Sequence, residues 1–231
     1  MQSPASVAVV IPAYDEADRI AATVSAAAAL PAVDLVLVVD DGSRDGTAPA
    51  ARRAGAAVLR HARNRGKGAA METGAEGVRL LDERDGRPRH LLFLDADLGA
   101  TAAHAGPLTG PVLDGKADMT IAVFKTTVKL GGHGLVVRLS GAGIRRATGR
   151  EPAQPLNGQR CLTRAAFEAA RPLARGFGAE TGLTIDLMRK GLRVTEVEVD
   201  LAHRATGTDL RAQAHRARQL ADVAWALATR L

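Results

Sequence analysis

Cysteines, aromatic residues and long apolar runs are scarce in this chain, and each scarcity narrows what the protein can be. Cys161 is the only cysteine among the 231 residues, so no internal disulfide can form, which is typical of a cytosolic protein. Aromatic residues make up 3% of the sequence, leaving few rings to stack on nucleic-acid bases. No apolar run reaches the roughly 18 residues of a membrane-spanning helix, and the N-terminus lacks a signal-peptide pattern. We therefore expect a cytoplasmic protein that does not bind nucleic acid.

The charge balance is strongly positive. The chain carries a net charge of +6 and has a sequence pI near 10.2. Such a surface attracts anions such as nucleotide sugars, phosphorylated acceptors or an acidic membrane surface. A composition rich in arginine and alanine also reflects genome composition, so the charge alone does not choose a function.

Short apolar runs alternate with helical patterns in the first half of the chain. The pattern predicts strands at 7–11, 35–39, 57–59, 91–94 and 117–123, and helices at 16–30, 47–54 and 68–82. This alternation predicts an α/β fold with a mostly parallel central sheet flanked by helices. Further on, we expect a glycine-rich loop at 125–136, helices at 136–148, 180–190 and from the cap Asp209 to about 230, and a strand at 192–199. No linker divides the chain, so residues 1–231 are predicted to form one domain.

The most informative segment is 91–97, where four apolar residues lead directly into Asp95, Ala96 and Asp97. Alternation along an extended chain would point both carboxylates to one side. Hard oxygen ligands suit Mg²⁺ or Mn²⁺, and such a metal in turn suits a diphosphate. The simpler alternative is a strand followed by an acidic turn.

Polar residues follow two other predicted strands. Ligands of open parallel sheets bind beyond the carboxyl ends of the strands, where these residues should meet. A carboxylate there can accept from a base N–H or a ribose hydroxyl, although turn and capping roles explain some of these residues equally well. The strand ends concerned are Pro12 to Glu16 after the first strand and Asp40 to Ser43 after the second, and Asp40 and Asp41 are the carboxylates that could accept such a hydrogen bond.

Three further positions carry weaker signals. Asn64 to Gly68 opens a helix with glycines and Lys67, which favours a nearby anion, but the spacing of a Walker A loop is absent. His203 is either a surface histidine or a metal ligand. Glu180 is either a first-turn acid that complements the helix dipole, or a group that orients or deprotonates an acceptor. The spacing of His61, His90 and His104 does not indicate a site.

Taken together, these motifs resemble family 2 glycosyltransferases of the GT-A fold. The resemblance covers roughly residues 7–100 and depends on the order and spacing of four segments: Val10 to Glu16, Val39 to Thr47, Asn64 to Gly68 and Leu94 to Asp97. The second half is similar to a narrower group, the glucosyl-3-phosphoglycerate synthases, at Gln154 to Arg160, Thr163-Arg164, Gly176 to Leu183 and Ala202 to Arg204.

The resemblance implies a nucleotide-sugar half at 1–100 and an acceptor half at 101–231. It implies Asp97 and His203 as metal ligands, Asp95 with Ala96 near the ribose and diphosphate, and Lys67 facing the donor. Pro12, Ala13, Tyr14, Glu16 and Asp41 would surround the nucleoside. The Arg-Val-Thr type segment that holds phosphoglycerate in those synthases is missing from 129–138, so the acceptor does not carry over. The residues expected to contact it are Gly158, Gln159, Arg160 and Arg138.

These observations predict an Mg²⁺- or Mn²⁺-dependent glycosyltransferase with Glu180 and Asp97 in catalytic roles. We expect a UDP-sugar donor, with a GDP-sugar as the alternative, and a small or phosphorylated acceptor. A polyprenyl-phosphate acceptor at the inner membrane face is a rival, because the last helix carries an apolar stripe that packs on either the core or a membrane. A non-catalytic nucleotide-sugar binding module is a second rival, and a homodimer is expected only by analogy. A nucleotidyltransferase is disfavoured, because the glycine-rich loop it needs after the first strand is missing.

Overall fold

The computed structural model describes residues 6–124, 134–201 and 210–231, with the side chains of the last range from 217 onward. Within these ranges a seven-stranded sheet forms the centre of the molecule. Its strands are β1 (Ser6–Ala13), β2 (Val33–Asp40), β3 (Ala57–Arg60), β4 (Arg89–Phe93), β5 (Met119–Phe124), β6 (Arg160–Leu162) and β7 (Val194–Val199). They lie in the order β3-β2-β1-β4-β6-β5-β7, and β6 is antiparallel to both of its neighbours. The predicted mostly parallel sheet is confirmed.

Helices cover both faces of this sheet. They are α1 (Ile20–Ala28), α2 (Thr47–Arg53), α3 (Lys67–Asp85), α4 (Gly110–Leu113), α5 (Gly134–Thr148), α6 (Arg164–Ala170), α7 (Ala179–Arg189) and α8 (Leu210–Ala228), with 3₁₀ segments at Gly99–Leu108 and Gly176–Gly178. Alternate residues of β1 face two cores, one with α1 and α2 and the other with α3, α6 and α7. Burial on both faces explains why β1 is a continuous apolar run. A third core joins α5, α7 and α8.

Several elements differ from the sequence prediction. The first helix begins at Ile20 instead of 16, because the backbone amides of Asp15 and Glu16 bind the hydroxyls of Ser43 and Thr47 instead of joining a helix. The strand β6, the short helices α4 and α6 and the 3₁₀ segment at 99–108 were not predicted, since each is too short or too irregular to show a clear period. Asp209 and most of the predicted glycine-rich loop lie outside the described residues.

The parallel strands place their carboxyl ends at one edge of the sheet. Ala13 pairs with Asp40, and Asp40 pairs with Arg60, so β1, β2 and β3 end side by side. Val10 pairs with Phe93, so β4 ends beside them. Among the helices in the described residues, none combines the length and apolar character needed to cross a membrane.

Candidate active site

A cleft of about 610 Å³ opens at this edge of the sheet. It brings together six predicted nucleotide-sugar residues from four separate segments: Pro12, Ala13, Tyr14, Asp41, Lys67 and Asp95. The opposite wall comes from Gly176 and Phe177 and from Arg218, Ala221 and Asp222 of α8. The fold therefore gathers most of the predicted donor residues around one cavity.

Lys67 lies at the centre of the charged groups. Its Nζ atom is 2.6 Å from Oδ1 of Asp95 and 2.7 Å from Oε1 of Glu180. Burial alone would lower the pKa of Lys67, but the two carboxylates outweigh it and hold that pKa above its usual value. Gly158 leaves room for this arrangement, because a Cβ atom there would be 2.3 Å from Nζ. The cleft thus holds a fixed ammonium group between two carboxylates.

The Asp95–Asp97 segment forms a turn, since β4 ends at Phe93. The expectation that Asp95 and Asp97 lie on an extended chain is therefore wrong. The turn is held by α1 instead: Arg19 donates to the carbonyl of Asp97, and Thr23 donates to the carbonyl of Ala96. Asp97 is half-buried.

The predicted metal ligand His203 lies outside the described residues. Within the described part of the chain, no group of three or more histidine, cysteine, aspartate or glutamate side chains surrounds a point where a metal ion would fit. The described residues therefore supply carboxylates to this region without completing a cation site by themselves.

Asp41 has a role that the sequence did not indicate. Its Oδ1 atom accepts a hydrogen bond from the amide of Arg65 at 2.9 Å, and its Oδ2 atom accepts one from the amide of Gly66 at 2.8 Å. Nδ1 of His61 lies 2.6 Å from the same Oδ1 atom. The amides before α3, which were expected to attract a ligand anion, are therefore held by an internal carboxylate.

Asp40 and Glu16 do not line the cleft. Asp40 is 1% exposed; its Oδ1 atom accepts from the amide of Ser43, and its Oδ2 atom is 3.1 Å from Nε of Arg60. These contacts support the turn role for Asp40 over a direct role in donor binding. Glu16 lies in the turn after β1, where its amide donates to Thr47.

The structure corrects the acceptor assignment of Arg160 and Gln159. Arg160 is fully buried, and its guanidinium donates to the carbonyls of Pro155, Asn157 and Glu180 and to the hydroxyl of Thr184. Burial lowers its pKa to about 10, against the opposing effect of the Glu180 and Asp95 carboxylates. An arginine whose donors are used in this way fixes the start of α7 instead of reaching an acceptor.

The other acceptor candidates are distributed differently. The side chain of Gln159 is also fully buried, which removes it from contact with a solvent-borne acceptor. Arg138 lies on the exposed side of α5 and does not line the cleft. Of the four predicted acceptor residues, only Gly158 lies directly against the ion pair of Lys67 and Asp95.

The wall formed by α8 is tied to the segment before Glu180. Oδ2 of Asp222 accepts a hydrogen bond from the amide of Phe177 at 3.1 Å. A Cβ atom at Gly176 would be 2.1 Å from the same Oδ2 atom, so that glycine permits the close approach. No sequence pattern predicts this contact, because Phe177 and Asp222 are 45 residues apart.

A second cleft of about 820 Å³ adjoins the first and shares Tyr14 and Asn64 with it. Arginines contribute much of its lining, namely Arg44, Arg60 and Arg63. The two clefts form a continuous surface along the ends of β1, β2 and β3.

A mostly parallel sheet with one inserted antiparallel strand and a cleft beyond its strand ends is the architecture of GT-A glycosyltransferase structures. The family model described as "Glycosyl transferase family 2" matches residues 8–149. The chain belongs to that family and is an enzyme of the glycosyltransferase class.

Two kinds of relative agree with this assignment. "Glycosyltransferase AglJ" from Haloferax volcanii is 30% identical over 213 residues, covering 90% of this chain and 67% of that protein. Glucosyl-3-phosphoglycerate synthase from Mycobacterium tuberculosis, solved with phosphoglyceric acid, matches with a TM-score of 0.75 and 27% identity, covering 97% of this chain and 79% of the other. The same synthase solved with Mn²⁺, uridine diphosphate and phosphoglyceric acid matches with a TM-score of 0.74 and 27% identity, over 96% and 78% of the two chains.

Proposed function

We propose that this enzyme transfers a sugar from a nucleotide-diphosphate sugar, with UDP-sugar favoured, to a small or phosphorylated acceptor. The observation that supports this most directly is the Lys67 ammonium between Asp95 and Glu180, in a cleft that is also lined by four of the five predicted nucleoside residues, Pro12, Ala13, Tyr14 and Asp41. The similar synthase has been solved with uridine diphosphate and a divalent metal. A nucleotide diphosphate is the ligand class that matches both observations.

A divalent metal ion is part of this proposal. Mg²⁺ is usually held by one or two protein carboxylates together with substrate phosphates, so the site does not need a complete protein cage. By the resemblance to family 2 glycosyltransferases, we assign Asp97 as the carboxylate for the metal, with His203 as the second protein ligand. The bound metal would neutralise the diphosphate that leaves as the glycosidic bond breaks.

The remaining charged groups have complementary roles. The ammonium of Lys67 provides a fixed positive charge for the donor and requires no reorganisation during the reaction. Glu180 is 3% exposed and paired with Lys67, so we assign it to orienting a sugar or acceptor hydroxyl. Tyr14 is 43% exposed beside Pro12 and Ala13, which makes its ring available to the nucleoside.

Isothermal titration calorimetry tests the donor and the metal together. The ligands are UDP-glucose, GDP-glucose and GDP-mannose, each with Mn²⁺ and then with EDTA. We expect metal-dependent binding of one donor, and we expect Asp97→Ala to abolish it. Asp114→Ala is the matched control, because Asp114 is an exposed carboxylate that pairs with Lys116 away from the cleft. If none of these donors, nor any of a broader nucleotide panel, binds with or without metal, the proposal is wrong.

A polyprenyl phosphate is the second candidate acceptor, favoured by the surface beside the cleft. Ala221 of α8 lines the cleft, and Trp225, one turn further along the helix, is 63% exposed. Arg218 adds positive charge to the same side of the helix. Salt-sensitive sedimentation with acidic liposomes, reduced in Trp225→Ala, would favour the lipid acceptor. Absence of sedimentation would favour a water-soluble acceptor.

The non-catalytic alternative has its own test. Slow hydrolysis of the donor without acceptor, abolished in Asp97→Ala, would exclude a module that only binds nucleotide sugars. Donor binding without hydrolysis or transfer to any acceptor would support that alternative.

A further inference from the structure

His61 lies in a buried chain of hydrogen bonds that ends at the backbone just before Lys67. His61 is 8% exposed and Asp41 is 4% exposed. Nδ1 of His61 is 2.6 Å from Oδ1 of Asp41, and Nε2 is 2.9 Å from the hydroxyl oxygen of Thr73 on α3. A carboxylate only accepts hydrogen bonds, so Nδ1 is the donor to Asp41, and in the neutral ring Nε2 accepts from Thr73.

Asp41 transmits this orientation to the backbone before α3. Its two carboxylate oxygens accept from the amides of Arg65 and Gly66. Gly66 has a φ of +90° and directly precedes Lys67, the first residue of α3. The Asp41 carboxylate therefore sets the position of the Lys67 backbone, and the His61 imidazole fixes the rotation of that carboxylate.

We propose that His61 is a positioning residue for donor binding: by holding the Asp41 carboxylate, it fixes the 64–66 turn and places Lys67 between Asp95 and Glu180. The part of this inference that concerns the donor rests on the proposed function. The part that concerns the turn does not, because the hydrogen bonds exist without any ligand. Lys67 needs this support, since a flexible side chain that bridges two carboxylates is only as well placed as its backbone.

Two isosteric variants separate positioning from simple filling of space. In His61→Asn the side-chain amide takes the place of Nδ1–H and keeps the donor to Asp41. In His61→Gln the amide reaches the place of Nε2 near Thr73, and the donor to Asp41 is lost. Thr73→Val removes only the outer hydrogen bond and leaves the contact between His61 and Asp41 in place.

His90→Ala is the matched structural control. His90 is a buried imidazole on β4, 4% exposed, and neither of its ring nitrogens has a hydrogen-bond partner among the described residues. Its removal costs packing at the opposite end of the sheet and leaves the 64–66 turn intact.

Two readouts test the proposal. Hydrogen exchange of the Arg65 and Gly66 amides needs no substrate; we expect it to accelerate about tenfold in His61→Gln, to stay within about twofold in His61→Asn and His90→Ala, and to change little in Thr73→Val. With the donor identified by calorimetry, we expect the KM for donor to rise about tenfold in His61→Gln, with kcat within about threefold of wild type and KM restored in His61→Asn.

The exchange and binding results test the positioning role of His61 and the proposed function separately. Unchanged exchange at Arg65 and Gly66 in His61→Gln, or no rescue by His61→Asn, would overturn the positioning role. Accelerated exchange of the Arg65 and Gly66 amides in His90→Ala would also overturn the positioning role, because the effect would then follow from a general loss of stability. If the wild-type protein binds no nucleotide sugar while the exchange pattern is as expected, the proposed function fails and the structural role of His61 stands.

Discussion

The substitution Gly158→Ala tests the charged centre without removing any charged group. A Cβ atom at this position would lie 2.3 Å from Nζ of Lys67 and 2.8 Å from Oδ1 of Asp95. Non-bonded heavy atoms need roughly 3.5 Å, so the ammonium must retreat by about 1 Å or more. Both crowded groups are the ends of flexible side chains, so they move while the backbone stays in place. We therefore expect the variant to fold normally and to lose the Lys67–Asp95 hydrogen bond.

The size of the effect follows from that single interaction. A hydrogen bond between charged groups contributes about 1.5 to 3 kcal/mol. The side chains of Lys67 and Asp95 are 20% and 24% exposed, so water screens part of this interaction and its contribution to stability falls below that range. If a bound donor excludes water from the pair, the loss of the full contribution of about 1.5 to 3 kcal/mol corresponds to a roughly 10- to 150-fold increase in the Kd for donor. The free energy of unfolding measured with urea should therefore fall by about 1 kcal/mol or less.

The assay is calorimetric titration of the donor with Mn²⁺, accompanied by urea unfolding of the same preparations. Gly110→Ala is the matched control, because a Cβ atom there meets no heavy atom within 4 Å. Donor affinity within twofold of wild type in a folded Gly158→Ala protein would refute the assignment of the Lys67–Asp95 pair to donor binding. A large loss of stability would refute the argument that only side-chain ends move.

Three further predictions concern stability, each measured by urea unfolding. Arg160→Met should lower the free energy of unfolding by about 3 to 5 kcal/mol, because three carbonyls and one hydroxyl lose a buried donor. Arg160→Lys should not restore the lost stability, because an ammonium group cannot reproduce the planar arrangement of the guanidinium donors. A loss below about 1 kcal/mol in Arg160→Met would contradict this prediction. Gly74→Ala should cost about 1 to 3 kcal/mol and leave donor affinity unchanged, because its Cβ atom would lie 2.3 Å from a methyl carbon of Val10 in the core. Burial, aided by the charge of Arg164, lowers the pKa of His90, so its neutral form stabilises the fold above about pH 6.5 and this contribution is lost as the pH falls further. The unfolding midpoint should therefore fall more between about pH 7.5 and about pH 5.5 in wild type than in His90→Phe; equal slopes would contradict the assignment.

The βα pattern of the first hundred residues determined the parallel strands β1 to β4. Strands buried on both faces are continuous apolar runs, which separate clearly from the helices between them. The carboxyl ends of parallel strands share one edge, so residues such as Pro12 and Asp95 were predictable as neighbours before any coordinate was known. This part of the fold follows from local sequence and a general rule of α/β sheets.

The second half was less predictable because its elements are short and their partners distant. The three residues of β6 carry no period of their own, yet they enter the sheet between β4 and β5 and place Gly158 against Lys67. Arg160 was predicted to contact the acceptor, but pairing of β6 with β4 directs it into the core, where it donates to the carbonyl of Glu180. Burial of a charged residue depends on the surrounding elements, which no local pattern records.

The sequence by itself determined the family, the edge of the sheet at which the cleft lies and six of the residues around that cleft, because strand ends and motif spacing are properties of a local chain segment. Only the tertiary structure decided how those residues are used. It showed that Asp41 holds the turn before α3, that His61 holds Asp41, and that α8 forms the opposite wall of the cleft. Hydrogen bonds between groups 20 to 45 residues apart depend on distances of a few ångströms, and only the packed fold fixes such distances.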